Sequence, residues 1–483
     1  MTIRIKKRLS IIYLVLFIVL TIASFTFNVS FLLELTFFVF LSLLIYSLTK
    51  FKDRFILAFF LASFFLFLLG GEFAYQYFGF SFDDQFSETI NNHAYFSCVI
   101  SLVFIWIGYV IAEHTSSENK RFHLSLTSND DIAATIFIRK IGEWGIYLTF
   151  IPTMIRGVEV GLYAQQHGYT SIYTMYSSSL PTIIMSLSQM FTLFLFMFLA
   201  TLPEKKRCIV PLLMYLIYGG IDLLAGRRLQ LGASIMVIIC YLILRQYRNP
   251  EEKWITKKMI VPSIVASVLL LFFLYSFRFM RYGETVEQKS FFGVLLGFLS
   301  QQGVSIDILK YQKLYEGDEL KWTSLYYTLR YLRISVLTRH LSGFPTELYD
   351  YRSWEEIVKT GNLSGYIMFN ISKYMYYNGY GLGTSYIAEL YHDFGYAGIS
   401  IYSLVLGWVL KRLFVFEEKF DIWRVTISFL ILEKLVVLPR YGADSILLPF
   451  YNLANVIVVI GILLLIALLS NNQKKTMENE YYD

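Results

Sequence analysis

Five arginines stand where a membrane-embedded chain should carry few cations. Arg227 and Arg228 fill the short turn in Leu223-Leu-Ala-Gly-Arg-Arg-Leu-Gln230, Arg278 and Arg281 follow another apolar run, and Arg440 sits in Leu438-Pro-Arg-Tyr-Gly442. A guanidinium group keeps its charge and presents a planar fork of donors that fits phosphate oxygens two at a time. Several of them together would hold a pyrophosphate anchored in lipid. Taken singly, each reads equally well as a side chain snorkelling to a headgroup. Asp222, five residues before Arg227, is either part of that site or the counter-ion that fixes the neighbouring arginine, and the second role is favoured.

A second group lies in Gly381-Leu-Gly-Thr-Ser-Tyr-Ile-Ala-Glu-Leu-Tyr-His-Asp-Phe-Gly-Tyr-Ala-Gly398. With Thr384 or Ser385 capping a helix, Ser385, Glu389 and His392 fall on one face at i, i+4 and i+7. That face offers a proton acceptor to a sugar hydroxyl. The alternative pairs Glu389 and His392 as scaffold and uses Gly395 and Gly398 for helix packing. His340, beside Arg339, is the other candidate base. Glu34, Glu72, Glu433 and Lys434 lie near the same span ends and are costly to bury, which makes them site candidates too. Arg139, Lys140 and Glu143 read as snorkelling residues. Aromatics are dense between Trp322 and Tyr380 and suit either sugar stacking or an interfacial belt.

The elements that must position these groups follow from composition. The chain of 483 residues is 56% apolar, 18% aromatic and 16% charged, with a mean hydropathy of +0.53. Soluble domains carry roughly 25% charged residues, so this is an integral membrane protein. A net charge of +6 does not suit nucleic acid. Cys98, Cys208 and Cys240 are odd in number and lack metal-site spacing. Motifs for phosphate loops, serine nucleophiles and zinc are absent, as is any D-x-D; no cofactor and no metal are expected.

About 20 apolar residues cross a bilayer as a helix. Twelve stretches qualify, near 11–27, 31–49, 55–78, 93–112, 133–154, 180–201, 208–224, 229–245, 258–276, 394–410, 422–438 and 446–469. The expected fold is therefore all-α, one polytopic domain over 1–483 with about 12 transmembrane helices. One set of connecting segments holds 23 Lys and Arg and the short loops of the other set hold 4, which makes both termini cytoplasmic by the positive-inside rule. The N-terminal run is read as a retained first span rather than a signal peptide. Residues 277–393 form a long extracytoplasmic loop, in which Ser290–Ser300 and Leu325–Ile334 have helical periodicity and suggest amphipathic or re-entrant helices at the outer surface.

This arrangement resembles the Wzy-type bacterial polysaccharide repeat-unit polymerases, which act on O-antigen or capsule. The resemblance rests on about a dozen spans, the Gly226-Arg-Arg-Leu-Gln-Leu-Gly232 turn, Arg278 and Arg281, the long outer loop and the Gly381–Gly398 stretch. It implies a metal-independent glycosyltransferase in the bacterial cytoplasmic (inner) membrane. The growing glycan would move from undecaprenyl diphosphate onto a newly flipped lipid-linked repeat unit, with a flippase and a chain-length regulator as further partners. It also implies diphosphate binding by Arg227, Arg228, Arg278, Arg281 and Arg440, with His392, Glu389 or His340 as base. A ligase of the same architecture and a flippase of lipid-linked oligosaccharide are the alternatives.

Overall fold

A computed structural model describes residues 30–80, 86–118, 132–282, 290–316, 327–335, 352–414 and 421–482. Among them every regular element is a helix. In chain order the main ones are α1 (Phe31–Thr49), α2 (Phe51–Phe78), α3 (Glu88–Glu118), α4 (Ile132–His167), α5 (Thr182–Ala200), α6 (Lys205–Ala225), α7 (Leu229–Arg248), α8 (Lys257–Tyr282), α9 (Phe291–Gln302), α10 (Ser305–Leu314), α11 (Tyr386–Arg412), α12 (Ile422–Leu435) and α13 (Leu453–Tyr482). The cause is compositional. Long apolar runs cannot leave backbone N–H and C=O groups unpaired in hydrocarbon, and a helix pairs them within itself.

Among the described residues α1, α2, α3, α5, α6, α7 and α11 are long and apolar enough to cross a membrane. Two bent pairs, Phe291–Gln302 with Ser305–Leu314 and Ala443–Tyr451 with Leu453–Leu468, raise the count of seven to nine if each is one span. The expected stretches 133–154 and 258–276 lie inside α4 and α8. The stretch 422–438 yields the 14-residue α12, too short to cross alone. The expected span 11–27 lies outside the described residues.

Loops sort to two ends of the bundle. At one end Arg54 of α2 bonds Glu113 of α3 at 3.0 Å, Arg412 of α11 reaches Thr115, and Arg245 of α7 reaches Pro203 and Glu252. At the other end gather the turn after α6, the 438–444 segment, and the short helices Arg330–Ile334, Trp354–Thr360, Leu363–Ile371 and Lys373–Tyr377. The bent pair α9–α10 is not laid on the surface as an amphipathic helix would be; its 44° bend fits the other expectation, a re-entrant or broken span. It is packed among the spans, where Gln301, Gln302, Lys310 and Gln312 are buried, because polar partners in α2 and α7 meet it there. Within α11, Gly395 adopts φ 62° and ψ −155°. That region is open essentially to glycine alone, so Gly395 marks a kink, while a side chain at Gly398 would collide with Phe394.

Candidate functional site

The turn after α6 is built by its own sequence. Residues Asp222–Ala225 tighten into a 3-10 turn, and Gly226 takes a left-handed conformation at φ 74° that sends the chain back. The Arg227 amide then bonds the Asp222 carbonyl at 2.9 Å. The same reversal brings Arg227 Nη2 to Asp222 Oδ1 at 2.8 Å. Asp222 therefore holds Arg227 rather than Arg228. Arg156 of α4 lies within electrostatic range of Asp222, and Tyr173 within range of both Arg227 and Tyr441.

Arg228 turns the other way. Its Nη1 donates to the Leu274 carbonyl of α8 at 2.6 Å and to Gln301 Oε1 at 3.2 Å. Arg440 Nη1 approaches the carbonyl of the next residue, Gln302, at 3.5 Å, and its guanidinium stands 5.9 Å from the Phe67 ring. Arg228 and Arg440, 212 positions apart in sequence, thus converge on one elbow, the junction between α9 and α10. Beside it lies a cavity of about 150 Å³ lined by Arg228, Gln302, Phe298 and Leu274 together with Leu66 and Phe67 of α2 and Val436 and Val437. Phe65–Leu69 form a single π-helical turn within α2, a local widening of the kind often found at functional sites. Arg278 and Arg281 occupy the last turns of α8, and their side chains lie outside the described residues. His340 also lies outside them.

The second predicted group is divided. Glu389 is buried, accepts from Thr384 Oγ1 and from the Ala443 amide, each at 2.9 Å, and so ties the start of α11 to the segment that carries Arg440. Ser385 is fully buried at the helix N-terminus. His392 faces a different neighbour: Nδ1 is 3.2 Å from Asp393 Oδ1 and its ring meets the Tyr327 ring edge to face at 4.3 Å. Asp393 and Asp444 in turn accept from the backbone amides of Tyr327, Thr328 and Leu332. Two carboxylates therefore pin the 327–335 segment, whose Arg330 lies in electrostatic range of Glu389 and Asp444. Burial pushes the Tyr331 phenol up to about 12, which keeps it a neutral hydroxyl beside these charges.

Sequence reasoning missed Arg156, Lys310, Arg330 and Glu159 as site builders. Arg156 was the single cation of the 155–179 segment, the same signal that marks Arg440. Glu159, past the apolar part of α4, holds the loop that carries Tyr173. It accepts from Tyr176 and Ser178 at 2.7 Å and from the Ser179 amide and hydroxyl at 2.8 Å. Burial alone would raise its carboxyl, but those hydrogen bonds outweigh burial and hold it at about 2. Among the remaining carboxylates, Glu433 sits below the turn and accepts from Tyr215 and Gln230, and Glu72 pairs with Lys310 at 2.6 Å. Among the described residues no three His, Cys, Asp or Glu side chains converge as a metal site.

Fold and site together define a multi-pass, all-helical membrane protein with guanidinium groups converging at one end. The chain matches the O-antigen polysaccharide polymerase Wzy family over residues 9–473 and belongs to it. That family is one of repeat-unit polymerases with glycosyltransferase-like activity. No curated protein and no solved structure matches the chain.

Proposed function

We propose that the protein lengthens a polysaccharide by moving the growing glycan from undecaprenyl diphosphate onto a lipid-linked repeat unit at the outer face of the cytoplasmic membrane. The observation that carries this is the convergence of Arg228 and Arg440 on the α9–α10 elbow, with Arg227 beside them on the same turn. In the step itself an acceptor hydroxyl attacks the anomeric carbon, the bond from that carbon to the phosphate oxygen breaks, and the electron pair leaves with the diphosphate. The hydroxyl proton passes to a base. Preorganised cations stabilise the charge that builds on the leaving group without needing a metal ion.

Arg227, Arg228 and Arg440 bind the diphosphate in this scheme, with Arg278 and Arg281 joining from α8. Glu389, His392 and His340 are the proposed proton acceptors, and Glu389 is bonded to the segment that bears Arg440. Both termini are cytoplasmic in this scheme, and the parts of residues 277–393 outside the buried α9–α10 pair face the outside, where the acceptor sugars would meet their aromatic rings. The purified protein in vesicles, supplied only with lipid-linked repeats, should make a ladder of lengths. A single transfer to a different acceptor would make it a ligase, and translocation without chain growth would make it a flippase.

A further inference from the structure

Glu72 and Lys310 form an ion pair buried among apolar spans, 2.6 Å apart with side chains only 6% and 3% exposed. Tyr95 of α3 donates to the other carboxylate oxygen at 2.7 Å, Asp307 stands 4.0 Å from the ammonium, and the Phe86 ring lies 5.4 Å from it. Removing two charges from water is costly, and such a pair is weak evidence for added stability; its best attested use is to set register. Here the register in question is that of α9–α10 against α2. Three of the contacts between the bent pair and α2 bear on that register. Phe292 packs on Phe78 with ring centroids 5.1 Å apart, Gly303 abuts Gly71 so closely that a Cβ on it would lie 2.2 Å from the Gly71 nitrogen, and Lys310 meets Glu72.

We propose that Glu72 and Lys310 are positioning residues: their pairing sets the height of the elbow at which Gln301 and Gln302 meet Arg228 and Arg440. The elbow lies eight residues before Lys310 along the same bent pair, so a slip there displaces the arginine contacts. One helical turn is about 5.4 Å, more than the 3.2 Å contact from Arg228 to Gln301 tolerates. A slip of one turn would bring Ile306 or Asp307 against the Glu72 carboxylate in one direction, leaving a buried charge unpaired or facing another carboxylate, and Lys313 or Leu314 in the other. The ion pair therefore penalises every neighbouring register but one that carries Lys313 to Glu72, and that one would part Gly303 from Gly71. The proposal rests on the arginine site described above, and its test separates the two.

Phe78→Cys and Phe292→Cys, both half exposed, are joined with a short bis-thiol reagent in full-length protein reconstituted in vesicles. The joined product is scored in the Glu72→Gln, Lys310→Met and Glu72→Lys/Lys310→Glu backgrounds, alongside kcat and KM for ladder synthesis with the same variants lacking the cysteines. The neutral variants should lose most of the joined product and about tenfold or more in kcat, and the exchanged pair should restore both to within about threefold. Unchanged joining in the neutral variants overturns the proposal. So does an exchanged pair that melts like the parent but fails to restore joining; should the neutral variants not fold, the exchanged pair decides alone. Joining lost and restored in a parent that makes no ladder upholds the register role and removes the polymerase assignment instead.

Discussion

Replacing Arg440 with alanine separates phosphate binding from structural support. Two contacts of Arg440 within the protein are a 3.5 Å approach to the Gln302 carbonyl, at the edge of hydrogen-bond range, and a 5.9 Å approach to the Phe67 ring. Those two contacts are together worth about 1 kcal/mol, and the rate is therefore read per folded molecule, with the melting temperature measured beside it. A preorganised donor at a developing oxyanion contributes about 3 kcal/mol, which is about a hundredfold in rate. Initial rates of ladder formation from lipid-linked repeats, per folded molecule, should therefore drop about a hundredfold in Arg440→Ala. Two controls bracket it. Arg245, 1% exposed and bonded to Pro203, Tyr241 and Glu252, should show the reverse: about 3 to 5 kcal/mol of stability lost on removal, with the rate per folded molecule kept. Arg139, bonded to Thr201, should lose little activity when changed to alanine. Equal losses from Arg139→Ala and Arg440→Ala, or an Arg440→Ala rate within threefold of the parent, would refute the phosphate-binding argument.

Three further outcomes are expected. Asp222 acts through Arg227, so Asp222→Ala should cost about tenfold in rate, Arg227→Ala about a hundredfold, and the double variant no more than Arg227→Ala alone; losses that multiply would show two independent roles. The Glu159 tether involves a carboxyl held below its ordinary value, so its stabilising effect is complete above about pH 4.5 and fades as the pH falls toward 2. Protease cutting within 168–181 should rise over that window in the parent, and Glu159→Gln should erase the pH dependence. Gly395→Ala forces a Cβ into a backbone region open to glycine and should lower stability by about 1 to 3 kcal/mol in denaturant titration; a neutral result would mean that the kink relaxes at no cost.

What the sequence disclosed and what it concealed divide along a physical line. Helices such as α3 or α7 announce themselves because hydrocarbon demands an unbroken apolar run, and the family resemblance is confirmed by the match over 9–473. The Asp222–Arg227 pair was legible too, because both residues belong to one tight turn. Contacts between distant segments were not. Arg228 and Arg440 meet through Gln301 and Gln302, two residues that no motif marks, and Lys310 lies outside the two runs read as helical within 277–393. Glu389 was singled out by type and position, and its bond to the Ala443 amide could come only from the packing of α11 against the 438–444 segment. Helical spacing placed Ser385, Glu389 and His392 on one face; burial then gave Glu389 and His392 separate neighbours.

Between α3 and α11 the backbones touch. A methyl group on Gly108 would lie 1.9 Å from the Leu404 carbonyl oxygen, and one on Gly407 would lie 2.0 Å from that of Ile105. Two shafts so closely keyed behave as a single beam, with no side-chain cushion on which one could roll past the other. A repeat-unit polymerase must take in a bulky chain, let it go and begin again. Such give cannot come from the beam, so it falls to the parts hung around it: the α9–α10 elbow, the α6–α7 turn and the tethered 168–181 loop.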